Sequence, residues 1–160
     1  MKKKRLNREP NIISKKASKI IASKINKGGA TYSPSLDKDY AGTPNIAISP
    51  FPELSQIVKG RATIKMVMSY CKKNEDLFLK GFSLGAWFNK DDGKTYLDIS
   101  VPISLEKLSE AIALGKSANQ IAGFNLSDFT EIPLGGTGEF NSSVAPFENR
   151  LKTALALMNK

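Results

Sequence analysis

Between residues 83 and 101, apolar and polar side chains alternate in two runs separated by a short string of turn formers. In the first run Leu84, Ala86 and Phe88 alternate with Gly85 and Trp87. In the second, Thr95, Leu97, Ile99 and Val101 alternate with Tyr96, Asp98 and Ser100. Successive side chains of a strand point to opposite faces, so each run has one apolar and one mixed face. The intervening Asn89-Lys90-Asp91-Asp92-Gly93-Lys94 carries turn chemistry, with Gly93 free to take a positive φ. A hairpin is predicted. Its apolar face needs a covering layer, and its other face presents Trp87, Tyr96, Asp98 and Ser100.

Helices that could form that layer flank the hairpin. Thr63 is placed to cap a helix in which Ile64, Val67, Met68 and Cys71 recur at helical spacing, with Leu77 and Phe78 continuing the stripe toward Gly81. Ser104 is placed to cap another, with Leu105, Leu108, Ile112 and Gly115 on one face and Asn119-Gln120 closing it. Residues 45–49 alternate as a strand, residues 53–60 suggest one helical turn ended by Gly60, and residues 121–126 read as a last strand extended by 131–132. The order is β-α-β-β-α-β. It predicts an α+β domain with a ferredoxin-like sheet and helices on one face, plus a basic N-terminal arm and a C-terminal helix. The expected division is a partly helical arm over 1–28, a loop over 29–44, the domain over 45–134, a flexible Gly-rich loop over 135–143, and the terminal helix over 144–160.

The chain's net charge of +9 belongs to the arm. Residues 1–27 hold ten of the 24 basic residues and one of the 15 acidic ones, leaving 14 of each in the remainder. The tip, with Lys2, Lys3, Lys4, Arg5 and Arg8, is too polar to fold alone. From Ile12 onward isoleucines interleave with Lys15, Lys16, Lys19 and Lys24, which predicts a basic amphipathic helix over 13–27, capped by Ser14 and stopped at Gly28-Gly29. Three readings of the arm compete: a solvated tail, a clamp on nucleic-acid phosphates, and docking onto an acidic protein or membrane surface. An apolar face of Ile and Ala without Trp or Phe weighs against the membrane. The helix itself needs a surface, and the Trp87–Tyr96 face is one candidate.

The catalytic options are narrow. The chain has no histidine, which removes the commonest general base and the Ser-His-Asp and Cys-His arrangements. Its one cysteine, Cys71, falls on a core stripe and reads as a buried inert thiol. Asp91-Asp92 reads as turn chemistry rather than a metal site, and Gly135-Gly136-Thr137-Gly138 as a flexible connector lacking the Lys-Ser/Thr of a P-loop. No catalytic residue, metal site or cofactor is expected, and no apolar run is long enough to span a membrane. Trp87 and Tyr96 remain as a face for stacking on unpaired bases or for a partner, although Asp98 beside them disfavours a polyanion.

The strings GAWFNKDDGKTYLDIS (85–100), LGKSANQIAGFNL (114–126) and EIPLGGTGE (131–139), with GGATYSPSL (28–36) and NIAISPFPE (45–53), carry a resemblance. Together they resemble a small uncharacterised domain of tailed-bacteriophage, virion-associated proteins, over roughly residues 28–139. The resemblance implies a phage origin and a role in the virion or in phage–host interaction. The expectation is a non-enzymatic structural or accessory virion protein, anchored by its basic arm to packaged DNA or an acidic capsid surface, in the virion or host cytoplasm. Alternatives are an inhibitor of a host defence protein and a single-stranded nucleic-acid-binding module.

Overall fold

A computed structural model describes residues 10–159; the cationic tip with Lys2, Lys3, Lys4, Arg5 and Arg8 lies outside them. The chain forms a mixed α+β fold with one eight-stranded antiparallel sheet and five α-helices among the described residues. In chain order these are α1 (Lys15–Asn26), β1 (Gly29–Ser33), β2 (Lys38–Asp39), β3 (Asn45–Ile48), β4 (Gln56–Lys59), α2 (Ile64–Lys73), α3 (Glu75–Leu79), β5 (Ser83–Asn89), β6 (Lys94–Ser104), α4 (Leu108–Ser117), β7 (Ala122–Asn125), β8 (Thr130–Pro133) and α5 (Phe147–Leu157). Strand order is β2-β1-β5-β6-β3-β7-β8, with β4 also paired to β6. This is twice the expected four strands, and the order differs from that of a four-stranded ferredoxin-like sheet.

The expected hairpin is the centre of the sheet. Strands β5 and β6 pair from Ser83↔Ser100 to Asn89↔Lys94 around the turn at Gly93, whose φ is +68°. The other edge of β6 is shared, its first residues pairing with β4 (Gln56↔Leu97 to Lys59↔Lys94) and its last with β3 (Val101↔Ile48 to Ser104↔Asn45). Leu84, Ala86, Leu97, Ile99, Val101 and Ile103 all point to one side, where they meet buried residues of the helices in one core. Val67, Tyr70 and Cys71 come from α2, Phe78 from α3, Ala111 and Leu114 from α4, and Ala154 from α5. Thr63 caps α2 by accepting from the Met66 N–H.

Several expectations need correction. The stretch 29–44 is not simply a loop: β1 and β2 lie in it, β1 pairing with β5 from Gly29↔Trp87 to Tyr32↔Leu84. Its Gly and Pro residues mimic turn chemistry, while its pairing partner is more than fifty residues away in sequence. The turn expected over 53–60 is a 3-10 turn at Pro52–Leu54 followed by strand β4. Strand β8 is not an extension of β7 but its hairpin partner. The Gly-rich connector is stitched down rather than free: the Asn119 side chain donates to Thr137 Oγ1 (2.6 Å) and the Glu139 carbonyl (3.0 Å), and accepts from the Thr137 N–H (3.1 Å).

Helix α1 is part of the core. Ser14 caps it by accepting from the Ala17 N–H, and Ile13, Ile21, Ala22 and Ile25 are buried with the helix layer. It lies against α2, β1 and β5 on the apolar side of the sheet, not on the Trp87–Tyr96 side. Ile20, adjacent to Ile21 and therefore turned by about 100° around a helix of 3.6 residues per turn, is exposed. At the other end of the chain Arg150 clamps α5: its guanidinium donates to both carboxylate oxygens of Glu53 (2.8 and 2.7 Å), to the Pro50 carbonyl (2.7 Å) and to the Ala145 carbonyl (2.7 Å), beside the stacked rings of Phe51 and Phe147. No helix among the described residues is long and apolar enough to cross a membrane.

Candidate ligand cavity on the open sheet face

With the helices gathered on one side, the other face of the sheet carries none among the described residues. The register places Gly29, Trp87 and Tyr96 in one row and Thr31, Gly85 and Asp98 in the next. Ser100 follows on β6, and Ala47 and Ser49 come from β3 and its end. Small side chains along these rows leave a concave floor. Tyr40, Ala47 and Leu126 form a separate small cluster that props the loops after β2 and β7 against this face. Between these elements lies a cavity of about 540 Å³, within the range of small-molecule sites. Trp87, Phe124 and Phe129 stand on its walls, each at least partly exposed.

Asp98 lies on the floor of this cavity. Its Oδ1 is enclosed against Gly85 and has no hydrogen-bond partner among the described residues. Buried polar atoms are nearly always paired, because an unmade hydrogen bond leaves the desolvation cost of the group unopposed. Burial pushes the Asp98 carboxyl up to about 6, a rise that the neighbouring Ser49 side chain moderates by favouring the ionised form. Gly85 makes this placement possible. It sits directly across the strand pair, and a Cβ there would overlap Asp98 Oδ1.

A second departure from local preference stands on the cavity wall. Phe129 closes the β7–β8 hairpin at φ +62°, where its N–H donates to the Asn125 carbonyl (2.8 Å). Hairpins of this kind ordinarily place Gly or Asn at the left-handed position. A bulky residue there is strained by about 1–2 kcal/mol. The ring is nonetheless 57% exposed, 6.4 Å from Phe124, so the strain is not offset by core burial.

The residues singled out from sequence are dispersed. Trp87 and Tyr96 stack, centroids 5.0 Å apart and planes 20° apart, and the Tyr96 hydroxyl donates to Asp92 at the hairpin tip. Trp87 belongs to the cavity; Tyr96 backs it from outside. Lys15, Lys16 and Lys19 are exposed on α1, on the far side of the sheet, whereas Lys24 is drawn into an ion pair with Asp39. Asp39 in turn is held below its usual value, since Lys24 and the Ala41 N–H outweigh the effect of burial. Cys71 is buried in the helix-side core, where burial pushes its thiol up to about 12. Sequence reasoning missed the contributions of Thr31, Ser49, Gln120, Phe124 and Phe129; the alternating Gly85 and Asp98 in the hairpin were the available signal. Comparison with protein-family models, curated proteins and solved structures finds nothing that matches this chain.

Proposed function

We propose that this protein is a non-enzymatic binding module that holds a ligand in the cavity over Asp98. The observation that carries the reading is a cavity on the helix-free sheet face whose floor holds a desolvated carboxylate, Asp98. A desolvated carboxylate costs stability unless something supplies a counter-charge. Binding is preferred to catalysis because the chain has no histidine and its one thiol lies in the core behind the sheet. The segments that carry the bacteriophage resemblance supply every lining residue of the cavity except Ala41 and Phe129. That coincidence supports an accessory phage protein, in which the cavity is the working part. We also read β7-β3-β6-β5 with its helices as a ferredoxin-like nucleus to which the other strands are added, on the strength of their neighbour order.

Trp87 is the only tryptophan and lines the cavity, so it reports on it directly. A fragment screen by Trp87 emission and backbone amide shifts should cluster responses on Gly85, Asp98 and Ser100. Replacing the exposed rim residue Ala41 with Trp should block them. Responses scattered over the surface, or unaffected by A41W, would refute the reading.

A second reading keeps the basic arm as an anchor to packaged DNA or an acidic capsid surface. It is favoured by the exposed Lys15, Lys16 and Lys19 on a helix whose apolar side is already docked. Removing residues 1–9 leaves α1 intact and should weaken low-salt DNA binding; equal binding by the truncated chain would end this reading.

A further inference from the structure

We infer that the cavity is selective for an organic cation, and specifically for a guanidinium group attached to an apolar body. The inference rests on the ligand-cavity reading above and deepens it. Among the described residues Asp98 and Glu131 are the charged side chains that line the cavity, and none of the described lysines or arginines does so. A phosphate or carboxylate placed there would add negative charge beside two carboxylates. A cation supplies the counter-charge that the cavity lacks.

The walls refine the choice. Trp87, Phe124 and Phe129 present aromatic surface to the same cavity, and aromatic faces attract cations. Between the two common organic cations, guanidinium is planar, less strongly hydrated and suited to lie on a ring while donating to a carboxylate. Ammonium holds its water more tightly and so loses more on entering a cavity with largely apolar walls. The volume exceeds what one guanidinium fills, which leaves room for an alkyl or aryl body against Phe124 and Phe129. The group can arrive on a free small molecule or on an arginine side chain of another protein.

Full-length protein is titrated at about pH 7.5, where Asp98 is ionised, with butylguanidinium, butylammonium, neutral butylurea and butanesulfonate, following Trp87 emission. Butylguanidinium should saturate the signal, and the urea, similar in shape but uncharged, should bind at least about 10-fold more weakly. In D98N the guanidinium should lose that advantage. Urea or sulfonate binding as well as guanidinium to the native protein would overturn the cation inference and leave the cavity reading standing. A native protein with no saturable response to any of the four would overturn both. A blocked Gly-Arg-Gly peptide then distinguishes the sources: tighter binding than butylguanidinium identifies a protein side chain, and weaker binding a free molecule, each in support of the guanidinium assignment.

Discussion

Replacing Asp98 with Asn should make the unliganded protein more stable at neutral pH. Burial carries the carboxyl from an ordinary value of 3.8 to about 6. A raised acid binds its proton more tightly in the folded state, so folding stability falls as pH rises between those two values. Below the lower value the penalty is absent; above the upper one it is complete. At about 1.4 kcal/mol per pH unit the full penalty is ~3 kcal/mol. Asparagine removes the charge but leaves an amide with the same unmet acceptor, which returns about 1–2 kcal/mol of that gain. The net expectation at pH 8 is ~1–2 kcal/mol, or roughly 2–8 °C in Tm for a chain of this size. The assay is thermal unfolding of native and D98N protein at matched pH from about 4 to 8. Taking the difference cancels the titration of Asp39 and Glu53, which both states share. Glu131 in the cavity and Tyr70 behind the sheet remain in both proteins and do not alter the sign. The Tm difference should fall steadily as pH drops, pass through zero and reverse sign toward about pH 4, where the native carboxyl is protonated and only the cost of the amide remains. A difference that is independent of pH, or a D98N protein less stable than the native one at pH 8, would refute the assignment of Asp98 as an uncompensated buried carboxylate.

Three further outcomes are expected. Phe129→Gly relieves the left-handed strain and should stabilise the protein by about 1 kcal/mol in urea unfolding, while weakening any cavity ligand that uses the ring. Arg150→Met leaves Glu53 without its partner and should destabilise by about 3–5 kcal/mol in the same assay. Burial pushes Glu53 up, but the Arg150 hydrogen bonds outweigh it and hold the carboxyl below its ordinary 4.5, so this loss should be complete above that value and fade as pH falls through the lower folded one. Deleting residues 1–27 removes Ile13, Ile21 and Ile25 from the core and should unfold or severely destabilise the chain by circular dichroism.

The hairpin of β5 and β6 was legible because its period of two runs unbroken on both sides of an obvious turn. Helices α2, α4 and α5 were legible for the corresponding reason, a 3.6-residue apolar stripe with a cap or stop at the end. Strand β1 was not. Gly29 and Pro34 punctuate it like a loop, and it is a strand because Trp87 through Leu84 offer it a free edge. Strand β4 is four residues long with Ile57 exposed, so no periodicity distinguishes it from the turn expected there. The arm helix shows the limit of face-matching. Its isoleucine stripe demanded a surface, yet a stripe does not say which of two sheet faces will accept it. Docking on the apolar side is what left Trp87 and Asp98 open.

Only part of the cavity could be read in advance. Trp87 and Asp98 fall on one face of a hairpin and could be placed together from spacing alone. Thr31, Ser49 and Phe129 arrive from three other segments through long-range register, which no local pattern encodes. What local reasoning can find is conflict. Asp98 is a carboxylate in the central strand of the sheet, and Phe129 is a phenylalanine where the hairpin calls for glycine. Each choice opposes folding, by ~3 kcal/mol for the first and about 1 for the second, and each has an inexpensive replacement. Sequences tend to be locally consistent except where function demands otherwise. Two independent conflicts lining one cavity, with Gly85 shaped to admit the first, are more economically explained by a shared ligand than by two unrelated defects.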